Sequence, residues 1–84
     1  AMERLAGFLL SLAGRAGKQA NDERIELPMC RADIADHLGL TIETVSRNMT
    51  KLRTRGIIDL PNRGCFVIRD IARLRDLAEC ETLH

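Results

Sequence analysis

Residues 31–55 constrain the fold most, because they hold two helix-type patterns separated by only a few residues. The first pattern repeats apolar residues on one helical face: Ile34, Ala35 and Leu38. Gly39 follows, and glycine most readily takes the left-handed conformation that ends a helix. Thr41 then provides a hydroxyl that can accept a backbone N–H in the first turn of a second helix. We therefore predict helices over residues 31–38 and 41–55 joined by a tight turn, which is a helix-turn-helix.

The second helix of this pair has two chemically different faces. Its apolar side chains recur at helical spacing and are predicted to face the core: Ile42, Val45, Met49 and Leu52. Its other face carries only side chains that can form hydrogen bonds: Glu43, Ser46, Arg47 and Thr50. At about 100° per residue, Arg47 lies about 40° from Glu43 on one side and Ser46 about 60° from it on the other.

Two β-rich runs follow the second helix and predict a hairpin. They cover residues 57–60 and 65–68 and are joined by the turn PNRG, residues 61–64. Proline presets such a turn, and glycine supplies a positive φ. A hairpin in this position is the wing of a winged helix, at about residues 57–68. The predicted fold class is therefore α+β, a winged helix-turn-helix.

Three further elements complete one domain, which we expect to span residues 3–80. A helix over residues 3–16 has an apolar stripe formed by Leu5, Phe8, Leu9 and Leu12. Residues 24–27 alternate like a short strand. Asp70 caps a last helix with an apolar face formed by Ile71, Leu74, Leu77 and Ala78.

The positive charge of the chain is concentrated around the second helix of the pair. The whole chain has 13 Lys and Arg against 12 Asp and Glu, a net charge of +1. Residues 41–63 hold five basic and two acidic residues, whereas acidic residues slightly outnumber basic ones on either side. This distribution favours a polyanionic partner. On charge alone, a basic helix face that serves only solubility is an equal alternative.

Several classes of function find no support in the sequence. No apolar run is long enough for a membrane span, and no signal peptide is visible. Cys30, Cys65 and Cys80 are odd in number and far apart, so free thiols in a reducing cytoplasm are the simplest interpretation. No nucleophile–base pair, metal-ligand cluster or phosphate-binding loop occurs. We therefore predict a cytoplasmic domain that is not an enzyme and has no catalytic residues, metal or cofactor.

The polar face of the second helix has the side chains that base recognition requires. An α-helix fits the major groove of B-DNA, where every base pair shows a distinct pattern of donors and acceptors. Arg47 carries the planar fork that pairs with O6 and N7 of guanine, and Glu43 can accept from N4 of cytosine. Ser46 is small enough for close approach. A carboxylate favours base reading over purely electrostatic binding, because phosphate repels it.

Two other interpretations stay open on the residues alone. Glu43 and Arg47 are four residues apart and could form only a surface ion pair, worth about 0.2–0.5 kcal/mol. A winged helix can also serve as a module for protein–protein interaction or dimerisation. The preceding helix, Gly39 and the following hairpin shift the balance toward double-stranded DNA.

The segment RADIADHLGLTIETVSR, residues 31–47, resembles the helix-turn-helix signature of the Crp/Fnr superfamily of bacterial transcription regulators. The triplet Glu43, Ser46 and Arg47 resembles the base-reading residues of its Fnr and FixK branches, whereas Crp itself usually has glycine where Ser46 stands. The resemblance implies the DNA-binding domain of a homodimeric regulator, with sensory and dimerisation regions before Glu3. It also implies RNA polymerase as a partner and a response to low oxygen or to nitrogen supply.

The same resemblance implies a DNA target and a role for each residue of the triplet. The target would be an inverted repeat with TTGAT-like half-sites. Arg47 would read the guanine, Glu43 the opposing cytosine or its neighbour, and Ser46 the outer thymine. The iron–sulfur cysteines of Fnr belong to the region before Glu3, so the three cysteines of this chain are not expected to be cluster ligands.

Five residues are candidates for contact with the DNA backbone: Arg31, Thr41, Thr44, Lys51 and Arg63. Arg31 opens the first helix of the pair, where free N–H groups and the helix dipole favour a phosphate. Capping alone would explain Thr41. Arg63 at the wing tip could reach the backbone or the minor groove, or could be a solvated turn residue.

Cys30 occupies the N-cap position of the first helix, where Ser or Thr would be usual. A thiol at a helix N-terminus beside Arg31 is predicted to oxidise more readily. Oxidation would add bulk, and negative charge once the product ionises, next to the phosphate backbone. The hypothesis is that oxidation of Cys30 weakens DNA binding, and the alternative is an inert thiol in a capping position.

Overall fold

The computed structural model describes residues 2–18, 21–62 and 64–79. These residues form four helices: α1 (Met2–Arg15), α2 (Arg31–Leu38), α3 (Ile42–Thr54) and α4 (Ile71–Glu79). They also form three strands: β1 (Arg24–Glu26), β2 (Ile58–Asn62) and β3 (Cys65–Ile68). The predicted α+β winged helix-turn-helix is therefore confirmed. Arg63 and Cys80 lie outside the described residues, as does the predicted turn at position 63.

The three strands form one antiparallel sheet in the order β1-β3-β2. The hairpin of β2 and β3 is the predicted wing, and β1 adds a third strand on the other side of β3. One detail of the prediction is wrong, because β2 continues through Pro61 and Asn62, which the sequence assigned to the turn. The pairing is irregular between Asp59 and Asn62, and a proline without an N–H is tolerated where a ladder is interrupted. The Asn62 Oδ1 then accepts the N–H of Gly64 at 2.8 Å.

The core is formed where the helices meet the sheet. α1 packs against α4, and α2 packs against α3, which also contacts β2. The largest fully buried side chains are Phe66, Leu5, Leu9, Ile25, Ile34, Met49, Leu52, Ile57, Ile58, Ile68, Leu74 and Val45. The predicted inward positions of α3 are thus confirmed for Val45, Met49 and Leu52.

Two residues assigned to apolar stripes are placed differently by the structure. Ile42 is 53% exposed, because it lies in the first turn of α3 beside the exposed Thr41, where the helix end is open to solvent. Phe8 is only partly buried, and its ring contacts His37 with 5.4 Å between the ring centroids. Asn48 is the converse case, because this polar residue of α3 is buried.

The turn between α2 and α3 has the predicted chemistry. Gly39 has φ 69° and ψ 33°, which is the left-handed conformation. The N–H of Leu40 donates to the Ala35 carbonyl at 2.8 Å, which closes the end of α2. The Thr41 Oγ1 accepts the backbone N–H of Thr44 at 3.1 Å and caps α3. These two caps end α2 and begin α3 within a short turn, and the start of α3 is exposed.

Candidate nucleic-acid interface

A groove of about 500 Å³ lies between the start of α2 and the polar face of α3. Its lining residues are Cys30, Arg31, Ser46 and Thr50. The tight turn brings them together, because it folds α3 back beside the beginning of α2. The groove therefore brings together Arg31, Ser46 and Cys30, which the sequence suggested separately for backbone contact, base contact and redox control. Thr50 had no role assigned from the sequence.

Glu43 and Arg47 lie on the outer side of α3, and both side chains are exposed. Within the described residues no ion pair joins them, although they are four residues apart. The simple surface pair that the sequence left open is not formed. A carboxylate and a guanidinium are thus presented side by side to solvent, and each can bond to an approaching partner.

Ile42, which the sequence pattern placed in the core, instead adds an exposed apolar side chain to this surface. Among the described residues it is the large hydrophobic side chain with high exposure. It precedes Glu43 and lies four residues before Ser46, so Ile42 and Ser46 are neighbours on one side of the helix. The spacing of four residues from Ser46 could have indicated this position in the sequence, because a side chain in register with Ser46 faces the groove side of α3.

The threonines at the start of α3 are engaged with each other. The two Oγ1 atoms of Thr41 and Thr44 lie 2.8 Å apart and share a hydrogen bond, in addition to the cap. Thr41 is exposed and Thr44 is partly buried. Lys51, two turns further along, is exposed on the flank of the same helix. These residues border the polar face at both ends, and Thr41 has a structural role whatever else it contacts.

Cys30 is at the N-cap of α2, with φ −81° and ψ 172°, but its side chain makes no capping hydrogen bond. The exposed thiol donates instead to the Asp33 Oδ2 at 3.5 Å. The sequence pointed to Arg31 as the important neighbour, whereas the polar partner in the structure is a carboxylate. Cys65, in contrast, is buried in β3.

The base of the wing is held by the side chain of Arg69, directly after β3. Its guanidinium lies 2.9 Å from the Asp22 carboxylate and 3.4 Å from that of Asp59 in β2. The hydrogen bond and charge of Asp22, followed by the charge of Asp59, raise the pKa of Arg69 above its ordinary value. The predicted cap of α4 is also present, since the Asp70 Oδ1 accepts the N–H of Arg73 at 3.2 Å. The Arg69 contacts thus join the end of β3 to β2 and to the segment before β1.

Other kinds of site are not evident in the part of the chain that the structure describes. Its His, Cys, Asp and Glu side chains form no group of three or more that could hold a metal ion. None of its helices combines the length and the apolar character that crossing a bilayer requires. Within the described residues, the groove beside α3 is therefore the candidate binding site.

Residues 3–77 match the family described as the Crp-like helix-turn-helix domain. The nitrogen fixation regulation protein FixK of Azorhizobium caulinodans is 48% identical over 79 residues, which cover 92% of this chain and 32% of the relative. The transcriptional activator protein FnrL of Cereibacter sphaeroides is 36% identical over 83 residues, covering 93% of this chain and 34% of the relative. This chain thus spans about a third of the length of these relatives.

Solved structures give the same result. FixK2 from Bradyrhizobium japonicum has a TM-score of 0.80 at 45% identity, over 90% of this chain and 37% of that one. The CO-dependent transcription factor CooA from Carboxydothermus hydrogenoformans has a TM-score of 0.82 at 28% identity, over 92% of this chain and 36% of that one. The relatives are transcription regulators and not enzymes. The chain therefore belongs to the Crp-like helix-turn-helix family, as a DNA-binding domain of the FixK-like type found in Crp/Fnr transcription regulators.

Proposed function

We propose that this domain inserts α3 into the major groove and reads a TTGAT-like half-site of an inverted repeat. One observation carries the proposal: the exposed Glu43 carboxylate, not paired with Arg47, stands beside that guanidinium on one helix face. A surface built only for phosphate attraction would not expose a carboxylate there. Cytosine N4 is a donor in the major groove, and guanine O6 and N7 are acceptors, so the two groups match one G·C pair.

Two neighbouring side chains extend the readout beyond that pair. Ser46 lines the groove and is short enough to approach the outer thymine. Ile42 presents an exposed apolar surface beside it, which suits the C5-methyl group of a thymine. The half-site offers thymines for both contacts, and this arrangement agrees with the family resemblance.

Backbone contacts would hold α3 in register. Arg31 lines the groove at the N-terminus of α2, where its charge and the free N–H groups of the helix together favour a phosphate. Thr41, Thr44 and Lys51 border the polar face and would contact phosphates on either side. Arg63, outside the described residues, is assigned a further backbone contact from its place between β2 and β3 in the sequence.

The longer protein would act as a homodimer, because an inverted repeat requires two copies of the reading helix. Half-sites one DNA turn apart, about 34–36 Å, match such a dimer. We further propose that the longer protein contacts RNA polymerase and acts in the cytoplasm. Several relatives are named for nitrogen fixation regulation, which supports control by oxygen or nitrogen supply. The 84-residue chain alone should bind weakly, since one domain supplies half of the contacts.

Redox control through Cys30 is a separate part of the proposal. The thiol is exposed and lines the same groove as Arg31, so an oxidised and ionised sulfur would place negative charge where a phosphate is expected. In the reduced state the thiol donates a hydrogen bond to the Asp33 carboxylate. Peroxide should weaken DNA binding by the native chain and leave Cys30→Ser unaffected; equal weakening of both would reject the idea.

The proposed function is tested by fluorescence anisotropy with a labelled duplex that carries the TTGAT inverted repeat. A scrambled duplex of the same composition is the control, and both are measured at low and physiological salt. We expect tighter binding to the repeat at every salt concentration. Equal affinity for both duplexes would contradict sequence reading and favour the alternative of a protein-interaction module.

A further inference from the structure

The Thr50 hydroxyl lines the groove, but its proton is already in use. Its Oγ1 donates to the backbone carbonyl of Ser46, one turn earlier in α3, at 3.0 Å. The side chain is nevertheless exposed, and it lines the groove together with Arg31 and Ser46. A hydroxyl has one donor and two lone pairs, so a committed proton leaves only acceptor capacity. Thr50 therefore offers one acceptor and one methyl group to a molecule in the groove.

These two groups do not suit a phosphate. Phosphate oxygens are acceptors, and an acceptor facing another acceptor gains no hydrogen bond. The major-groove edge of an A·T pair fits better, because adenine N6 is a donor and thymine carries the C5-methyl group. A G·C pair also offers a donor, at cytosine N4, but has no methyl group for the threonine methyl to contact. The chemistry of Thr50 thus favours an A·T pair.

We propose that Thr50 is a specificity-determining residue that accepts a hydrogen bond from adenine N6 of the base pair next to the guanine read by Arg47. Thr50 follows Arg47 by three residues, a rise of about 4.5 Å along the helix and a rotation of about 60°. Successive base pairs are about 3.4 Å apart, so the step along α3 corresponds to roughly one pair. The inference rests on the proposed function and adds a fourth reading position to Glu43, Ser46 and Arg47.

The test uses two substitutions at Thr50 and two versions of the base. Thr50→Val keeps the shape and the methyl group but has no acceptor, whereas Thr50→Ser keeps the acceptor. The duplex carries either adenine or purine, which lacks the N6 amino group, at the pair next to the guanine. Thr54→Val is the matched control, because Thr54 is an exposed threonine of the same helix one turn later that does not line the groove. Anisotropy gives Kd for every combination.

We expect the native chain, Thr50→Ser and Thr54→Val to bind the purine duplex about 2- to 12-fold more weakly than the adenine duplex, which is the range of one neutral hydrogen bond. Thr50→Val should bind both duplexes equally, with an unchanged salt dependence. An equal purine penalty for the native chain and Thr50→Val would overturn the inference. A uniform loss on all sequences, or a smaller salt slope for Thr50→Val, would overturn it as well. If the native chain does not distinguish the repeat from scrambled DNA, the proposed function itself fails.

Discussion

Replacing Arg47 with alanine tests the central contact of the proposed interface. The structure predicts little effect on the fold, because the Arg47 side chain is exposed and forms no ion pair with Glu43. Arginine and alanine are also both good helix formers. The free energy of unfolding should therefore change by less than about 0.5 kcal/mol. Any large loss of DNA affinity must then come from the interface.

The expected loss follows from the geometry of the pairing. A bidentate contact between a guanidinium and guanine contributes about 1–3 kcal/mol of discrimination, which corresponds to about 5- to 150-fold in Kd. The loss should appear on the inverted repeat and should be small on random DNA. Arg47→Ala should also tolerate replacement of that guanine, whereas the native chain should not.

Anisotropy titrations with the native chain and Arg47→Ala provide the measurement. Each is titrated against the repeat, a repeat with 7-deazaguanine at the read position, and random DNA. The deaza base lacks N7 and therefore removes one of the two acceptors for the Arg47 guanidinium. It should weaken DNA binding by the native chain and leave binding by the variant unaffected. Urea unfolding of both proteins provides the control for stability. Equal losses on the repeat and on random DNA would refute base reading by Arg47, since a phosphate contact behaves that way.

Three further predictions concern other residues of the groove and core. Arg31→Ala should weaken binding to all sequences alike and lower the slope of log K against log salt by about 1; loss confined to the repeat would contradict a phosphate contact. Ile42→Ala should weaken binding to a half-site containing thymine but not to one containing uracil, which lacks the methyl group; a penalty on both duplexes would exclude a methyl contact. Asn48→Leu should raise the free energy of unfolding by about 1–3 kcal/mol in urea titrations, because no described residue gives the buried Asn48 Nδ2 a hydrogen-bond partner; an unchanged or lower stability would contradict a desolvation penalty at Asn48.

The sequence predicted those parts of the fold that depend on the chemistry of single residues. Gly39 ends α2 in the left-handed conformation, Thr41 caps α3 and Asp70 caps α4, as their residue types indicate. Caps of this kind depend on neighbours within three or four residues. Local sequence therefore contains the information for them, and the helix-turn-helix follows from it directly.

Features that depend on distant parts of the chain were not predictable in this way. Ile42 is exposed because no described element covers the start of α3. The pattern of apolar residues in the sequence does not reveal this. The burial of Asn48 and the pairing of the predicted strand β1 with β3 also depend on tertiary contacts. In the site, periodicity identified the face with Glu43 and Arg47. The groove itself requires the angle between α2 and α3, which periodicity does not contain.

Glu43 has a further consequence for discrimination between DNA sequences. A carboxylate in the first turn of α3 interacts favourably with the helix dipole, so its presence does not oppose the fold. On random DNA, however, it faces phosphates and bases that offer no donor, and it loses water without gaining a hydrogen bond. Only a base with an exocyclic amine at the correct position removes that penalty. Glu43 therefore lowers the affinity for most sequences more than the affinity for the target. It improves specificity even where it does not raise the affinity for the target itself.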